Sequence, residues 1–270
     1  MTKPVSFRRS LFFNLALSAI LLGTILLAIS VYASSRMLRD MAEELTGRAI
    51  ADTNRALIAY LRPVEDLIQL SIHWADAGMF QDRELDEFDD IFRPFVRFVT
   101  QVSAVHLANP QGEEKMLMKL GEGYRERLVR PREFGSGKAL IREWVGERTE
   151  PLENLVESSY DPRVRPWFTE ALRQFETTPP DAPIAARIHW SEPYVFFTTK
   201  EPGITASIAH QAPDGKIHIF ALDVLIKDIA RFAERIELRG SGLVFVLVRD
   251  LRKGKETVLG VPDSDPRDHP

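Results

Sequence analysis

The sequence predicts an α+β fold: a long helix leading into a PAS-like antiparallel sheet flanked by further helices. Three observations predict it. From Leu11 to Ala33 there are 23 residues without a charge, enough to cross a hydrocarbon core of about 30 Å as a helix. Beyond Ser34, apolar residues recur mostly at steps of three and four as far as Ile72, the period of a helix face. From about Val102 the period drops to two and turn residues interrupt the chain at short intervals, as they do between antiparallel strands.

Lys3, Arg8 and Arg9 precede the apolar run, whereas Arg36 and Arg39 beyond it are offset by Asp40, Glu43 and Glu44. This bias places residues 1–10 in the cytoplasm, residues 11–33 across the membrane and the rest outside. Val31-Tyr32-Ala33 would also suit a signal-peptidase site, but the run exceeds the 7–15 apolar residues of a secretory leader, so an uncleaved anchor is expected. Residues 34–74 then read as one helix with Met37, Leu38, Met41, Leu45, Ile50, Leu57, Leu61, Val64, Leu67, Ile68 and Ile72 on its apolar positions. It would be roughly 60 Å long, and Pro63 should kink it or mark a join. Its stripe would pair with a second copy through Ser35–Leu61 or pack on its own domain. Gln81–Val99 reads as a further helix, acidic at its start and rich in Phe later.

Val102–Leu107 and Glu114–Lys119 read as strands joined by the turn Asn109-Pro110-Gln111-Gly112. A third strand is expected near Tyr124–Pro131. Ile141–Arg148 is ambiguous, and Leu152–Ser159 leans to strand. Trp167–Glu176 reads as a short helix ended by Thr177-Thr178-Pro179-Pro180. Strands at Tyr194–Thr199, Ile204–His210 and Lys216–Val224 are separated by the turns Lys200-Glu201-Pro202-Gly203 and Ala212-Pro213-Asp214-Gly215. Leu225–Ile236 closes this unit, residues 75–239, as a helix over a sheet of about five strands. Past Gly240-Ser241-Gly242, strands at Leu243–Val248 and Thr257–Val261 are too few to bury a core. Residues 240–270 are therefore expected to begin a second, smaller and truncated subdomain.

Composition limits the function. Without Lys3, Arg8 and Arg9, 32 basic residues face 39 acidic ones, and a surplus of negative charge beyond the anchor argues against nucleic acid or anionic lipid as partner. The chain has no cysteine, which removes disulfides, thiol chemistry and Cys-ligated metals. His73, His106, His189, His210, His218 and His269 show no paired metal spacing, and each reads as a surface or core residue. No Gly-rich phosphate loop or nucleophile elbow occurs; Gly240-Ser241-Gly242 reads as a turn. Neither catalysis, nor a cofactor, nor a metal is expected of this chain.

The segment with most chemistry is Tyr160-Asp161-Pro162-Arg163-Val164-Arg165-Pro166-Trp167-Phe168. Two prolines stiffen it. An Arg held beside a Trp face can fork onto a carboxylate and pack an apolar group. The same residues could instead seal a helix onto the sheet.

With the anchor, the long exported helix, Asp161–Phe168, Trp190-Ser191-Glu192-Pro193-Tyr194 and a later strand ending in Asp-Val, the chain resembles the double Cache (tandem PAS-like) extracytoplasmic sensor domains of bacterial transmembrane receptors. That resemblance covers about residues 35–261. It implies a membrane-distal ligand-binding subdomain at 75–239, a proximal one only begun, and an output domain beyond this chain. Laid on the family's amino-acid motif, it implies that Tyr160, Arg165, Trp167 and Phe168 line the pocket, with Arg165 and Trp167 at the ligand carboxylate. Asp223 would take the ligand ammonium and Tyr194 would form a further wall. Phe168 stands where Tyr is more common, and the Thr177–Ile188 insertion blurs the register of Tyr194. Asp223 has a second reading, as the cap of the helix beginning at Leu225. A ligand-free, membrane-anchored interaction protein is the alternative function.

Overall fold

The computed structural model describes residues 7–79, 88–121, 123–145, 150–179, 181–235, 246–250 and 255–260. By backbone contacts the chain divides into two units, residues 1–54 and residues 55–270.

The first unit is the greater part of helix α1 (Phe7–Asp76), a single helix of 70 residues that contributes to both units. Between residues 11 and 54 its large apolar residues are exposed, among them Leu11, Phe12, Leu21, Leu22, Met37, Leu38, Met41, Leu45 and Ile50. It is the one described helix long and apolar enough to cross a membrane, with a mean hydropathy of 2.3 over its most apolar window. Pro63 does not mark the expected join: α1 continues through it.

The second unit is α+β, as the change of period predicts. After the last part of α1 come α2 (Asp89–Phe98), β1 (Ala104–Ala108), β2 (Glu114–Leu120), β3 (Gly123–Val129), α3 (Pro131–Phe134), β4 (Lys138–Trp144) and β5 (Leu152–Glu157). A 3-10 turn at Pro162–Val164 precedes α4 (Pro166–Thr177) and α5 (Ile184–Arg187). The chain continues through β6 (His189–Trp190), β7 (Tyr194–Val195), β8 (Pro202–Gln211), β9 (Ile217–Leu225) and α6 (Ile226–Glu234). The strands β10 (Val246–Asp250) and β11 (Lys255–Gly260) pair as a separate hairpin. The expected starts of the Gln81 helix and of the Leu243 strand, the Gly240 turn and the tail after Gly260 lie outside the described residues.

One nine-stranded antiparallel sheet runs β5-β4-β3-β2-β1-β9-β8-β6, with β7 also on β8. The expected five strands are its centre, β3 to β8. On one side the sheet extends by β5, as the lean to strand at Leu152–Ser159 expects, and by β4, which the poorly alternating stretch Ile141–Arg148 left ambiguous. On the other side Tyr194–Thr199 is a strand only at Tyr194–Val195, and the chain then turns, with Lys200 at φ 59°.

Period two distributes side chains to two faces, and both are covered. One face carries Val105, Leu107, Leu117, Phe220, Leu222 and Val224 under Val64, Ile68 and Ile72 of α1, Phe92 and Phe95 of α2, and Ile229 of α6. Tyr60 stacks on Phe232 at 4.2 Å, tying α1 to α6. The other face carries Ala108, Ala209, Ile219 and Ala221 under Trp167, Phe168 and Ala171 of α4. Pro166 opens α4 where its missing N–H is harmless and its fixed φ helps.

Charges lie inside as well. Facing α2, fully buried Lys115 pairs with Asp89 at 2.7 Å and with fully buried Glu126, which Arg142 also reaches at 3.3 Å. The next residue along each strand, Glu114 on β2 and Arg127 on β3, points to the opposite face.

Candidate functional site

Under the face covered by α4, a chain of buried polar groups runs across β1, β2, β3, β8 and β9. Register places it: His106 lies opposite Met116 and Ala221, Met116 opposite Arg127, and Thr205 opposite Asp223. Glu114 accepts from Arg127 Nε at 3.0 Å and Arg127 Nη2 at 2.9 Å, and from Tyr160 Oη at 2.8 Å. His106 Nδ1 is 2.9 Å from Glu114 Oε1, and its Nε2 is 3.0 Å from Asp223 Oδ2. The other Asp223 oxygen accepts from Thr205 Oγ1 at 2.7 Å. With that proton given to Asp223, Tyr194 Oη is the donor in its 2.7 Å bond to Thr205 Oγ1.

Both ring nitrogens of His106 therefore face carboxylate oxygens. A neutral imidazole has one N–H and would set a lone pair against one of them, so with both carboxylates ionised the geometry calls for an imidazolium. Burial works against that charge, but Asp223 and Glu114 outweigh it and raise the His106 pKa to about 9. Burial likewise opposes the Glu114 charge, and Arg127 and His106 overcome it, holding its pKa at about 2. Arg127 is held further above its usual value by Glu114, against the effect of burial. The Tyr160 and Tyr194 phenols are pushed up, first by burial and then by Glu114 and Asp223 respectively, and stay neutral.

Beside this network lies a cavity of about 20 Å³ lined by Arg127, Tyr160, Arg165, Trp167, Tyr194 and Asp223, with Met116 and Met118 from the sheet and Phe196 to Thr199 from the turn after β7. The Arg127 guanidinium lies 3.6 Å from the centroid of the Tyr160 ring. Arg165 is partly exposed; its Nη2 donates to Val195 O at 3.1 Å, and its guanidinium is 5.3 Å from the centre of the Tyr194 ring. Among the described residues Arg165 forms no ion pair, whereas Arg163 on the outside is bound to Asp161 at 2.8 Å.

Five residues singled out in the sequence, Tyr160, Arg165, Trp167, Tyr194 and Asp223, thus line one cavity. Phe168 does not. It packs edge-on to Trp167, 5.7 Å between centroids, in the core beneath α4. Asp223 is no helix cap either: it is buried in β9, and α6 begins without a side-chain cap. Sequence reasoning missed His106, Glu114, Arg127 and Thr205. One signal was there: each is a polar residue within a run otherwise patterned as strand.

No protein-family model and no curated protein matches the sequence. Solved structures similar to this chain include the ligand-binding domain of the Pseudomonas aeruginosa amino acid chemoreceptor PctB in complex with L-Gln. It is 16% identical over 80% of this chain and 67% of that one, with a TM-score of 0.49. Another is the ligand-binding domain of the Pseudomonas fluorescens chemoreceptor CtaA in complex with L-serine, 17% identical over 79% and 69%, TM-score 0.48. A third, that of PctC from Pseudomonas aeruginosa in complex with GABA, is 20% identical over 81% and 75%, TM-score 0.46. These are ligand-binding domains of chemoreceptors.

Proposed function

We propose that this chain is a membrane-anchored extracytoplasmic sensor module of the double Cache kind, which binds a small molecule carrying a carboxylate, an amine or both. One observation carries the reading: Tyr160, Arg165, Trp167, Tyr194 and Asp223, spread over 64 positions, line a single cavity in which a cation, an anion and aromatic faces meet. Arg165 binds the ligand's acidic end by a forked, charge-assisted pair, and Trp167 and Tyr194 wall the remainder. In this reading α1 anchors the module, with its N-terminus in the cytoplasm and the sensor on the periplasmic or extracellular side. Two copies pair through Ser35–Leu61, and ligand capture biases two arrangements of those helices. Any kinase, cyclase or similar output belongs to a domain beyond this chain.

The small free volume, about 20 Å³, favours a second reading. It is room for about one water, as in an anchored interaction protein that takes no ligand.

A thermal-shift screen of the full chain in detergent micelles against amino acids, organic acids and amines separates the two. A ligand bound only by the native state raises the melting temperature with dose. Arg165→Ala should weaken any hit at least tenfold, about 1.4 kcal/mol. A hit indifferent to that change would remove the site, and no hit from any class would leave the interaction protein.

A further inference from the structure

Within the sensor reading, on which this step rests, we propose that the cavity selects a small monocarboxylate with a short apolar tail and rejects the α-amino acid of the same size. An amino acid needs an anion free to receive its ammonium group. Among the described residues Asp223 is the one carboxylate lining the cavity, and each of its oxygens already accepts a hydrogen bond, Oδ2 from the His106 imidazolium and Oδ1 from Thr205. An ammonium at Asp223 would also meet the charge on His106, and like charges in a buried site oppose each other.

The cations are distributed the other way. Arg127 is committed to Glu114 by two parallel hydrogen bonds and stacks on Tyr160. His106 is committed to Glu114 and Asp223. Arg165 is in no ion pair among the described residues, and it lines the cavity. Among the described residues three cations thus stand against two carboxylates, and both phenols are neutral. The site is left one positive charge in excess, which a single carboxylate balances. The rest of the lining suits an alkyl group: Met116 and Met118 adapt to small apolar shapes, and Trp167 and Phe196 supply flat faces. The free volume, room for about one water, must widen to admit any ligand, and a tail of a few carbons asks the least of it.

The test is calorimetric titration of the full chain in detergent micelles at neutral pH with propionate, alanine and propylamine. Alanine is propionate with an added α-ammonium, so the pair isolates that group. Propionate should bind, and alanine should bind at least tenfold more weakly. In His106→Gln, which removes one cation from beside Asp223, the preference should swing at least tenfold toward alanine. Wild-type protein that binds alanine or propylamine as tightly as propionate overturns the selectivity and leaves the sensor standing. If none of the three binds, the inference also falls. The broader screen with Arg165→Ala then decides whether the sensor reading falls with it.

Discussion

His106 holds one carboxylate against each ring nitrogen, and this sets a pH window for stability. Its pKa rises from 6.5 to about 9 on folding. The native state therefore binds a proton that the unfolded chain releases between those values. The stabilisation is complete below pH 6.5 and is lost as pH climbs through 9, by up to about 3 kcal/mol for the shift alone. Glu114 runs the other way: with its pKa lowered from 4.5 to about 2, its contribution is present above pH 4.5 and lost on acidification below that. Urea midpoints of the full chain should fall from pH 6.5 to 9, and His106→Gln should flatten that slope; an equal slope in the variant would place the titration elsewhere. This network is also where the sequence was hardest to read. Tyr160, Arg165 and Trp167 announce themselves because two prolines and two guanidinium groups are concentrated there. His106, Glu114 and Thr205 do not, because in a sheet covered on both faces polar alternation no longer marks the solvent side.

Among the elements, β8 and the turn before it depend on one glycine. A Cβ on Gly203 would strike the Phe196 ring and come within 2.8 Å of Val224 O. Gly203→Ala should therefore cost about 1–3 kcal/mol by overpacking, and it should displace Phe196 from the cavity wall. Thermal unfolding and ligand titration would both register the change, and a variant normal in both would show that the turn yields without penalty. On the opposite face, Phe92 of α2 is completely buried against α1 and the sheet. Phe92→Ala should lose about 3–5 kcal/mol, measured by urea unfolding, without altering ligand preference. Helices α4 and α6 and strands β1, β2, β8 and β9 were legible, since periodicity and turn residues agree there. The two-residue strands β6 and β7 were not: they exist because β8 offers an edge, and no local pattern encodes that.

For the whole molecule, the exposed stripe Met37, Leu38, Met41 and Leu45 on α1 leads to the prediction of a dimer. Light scattering of the full chain in detergent should give twice the protomer mass. The double change Leu38→Glu and Leu45→Glu should halve it without moving the melting temperature of residues 55–270. A monomeric wild type would confine the stripe to some other contact. The interior of the sheet carries a different kind of whole-molecule information. Strands β2 and β3 each bury an ion toward both faces, Lys115 and Glu126 toward α2, Glu114 and Arg127 toward the cavity. If β3 slipped by one residue, every side chain on it would change face. Arg127 would then crowd Lys115 beneath α2, and Glu126 would crowd Glu114 beside the cavity. Two attractive pairs would become two buried repulsions, whose cost hydrophobic contacts alone would not impose. The alternating charges thus act as a lock on alignment: a decoy hairpin is rejected by its electrostatics before its packing is ever tested.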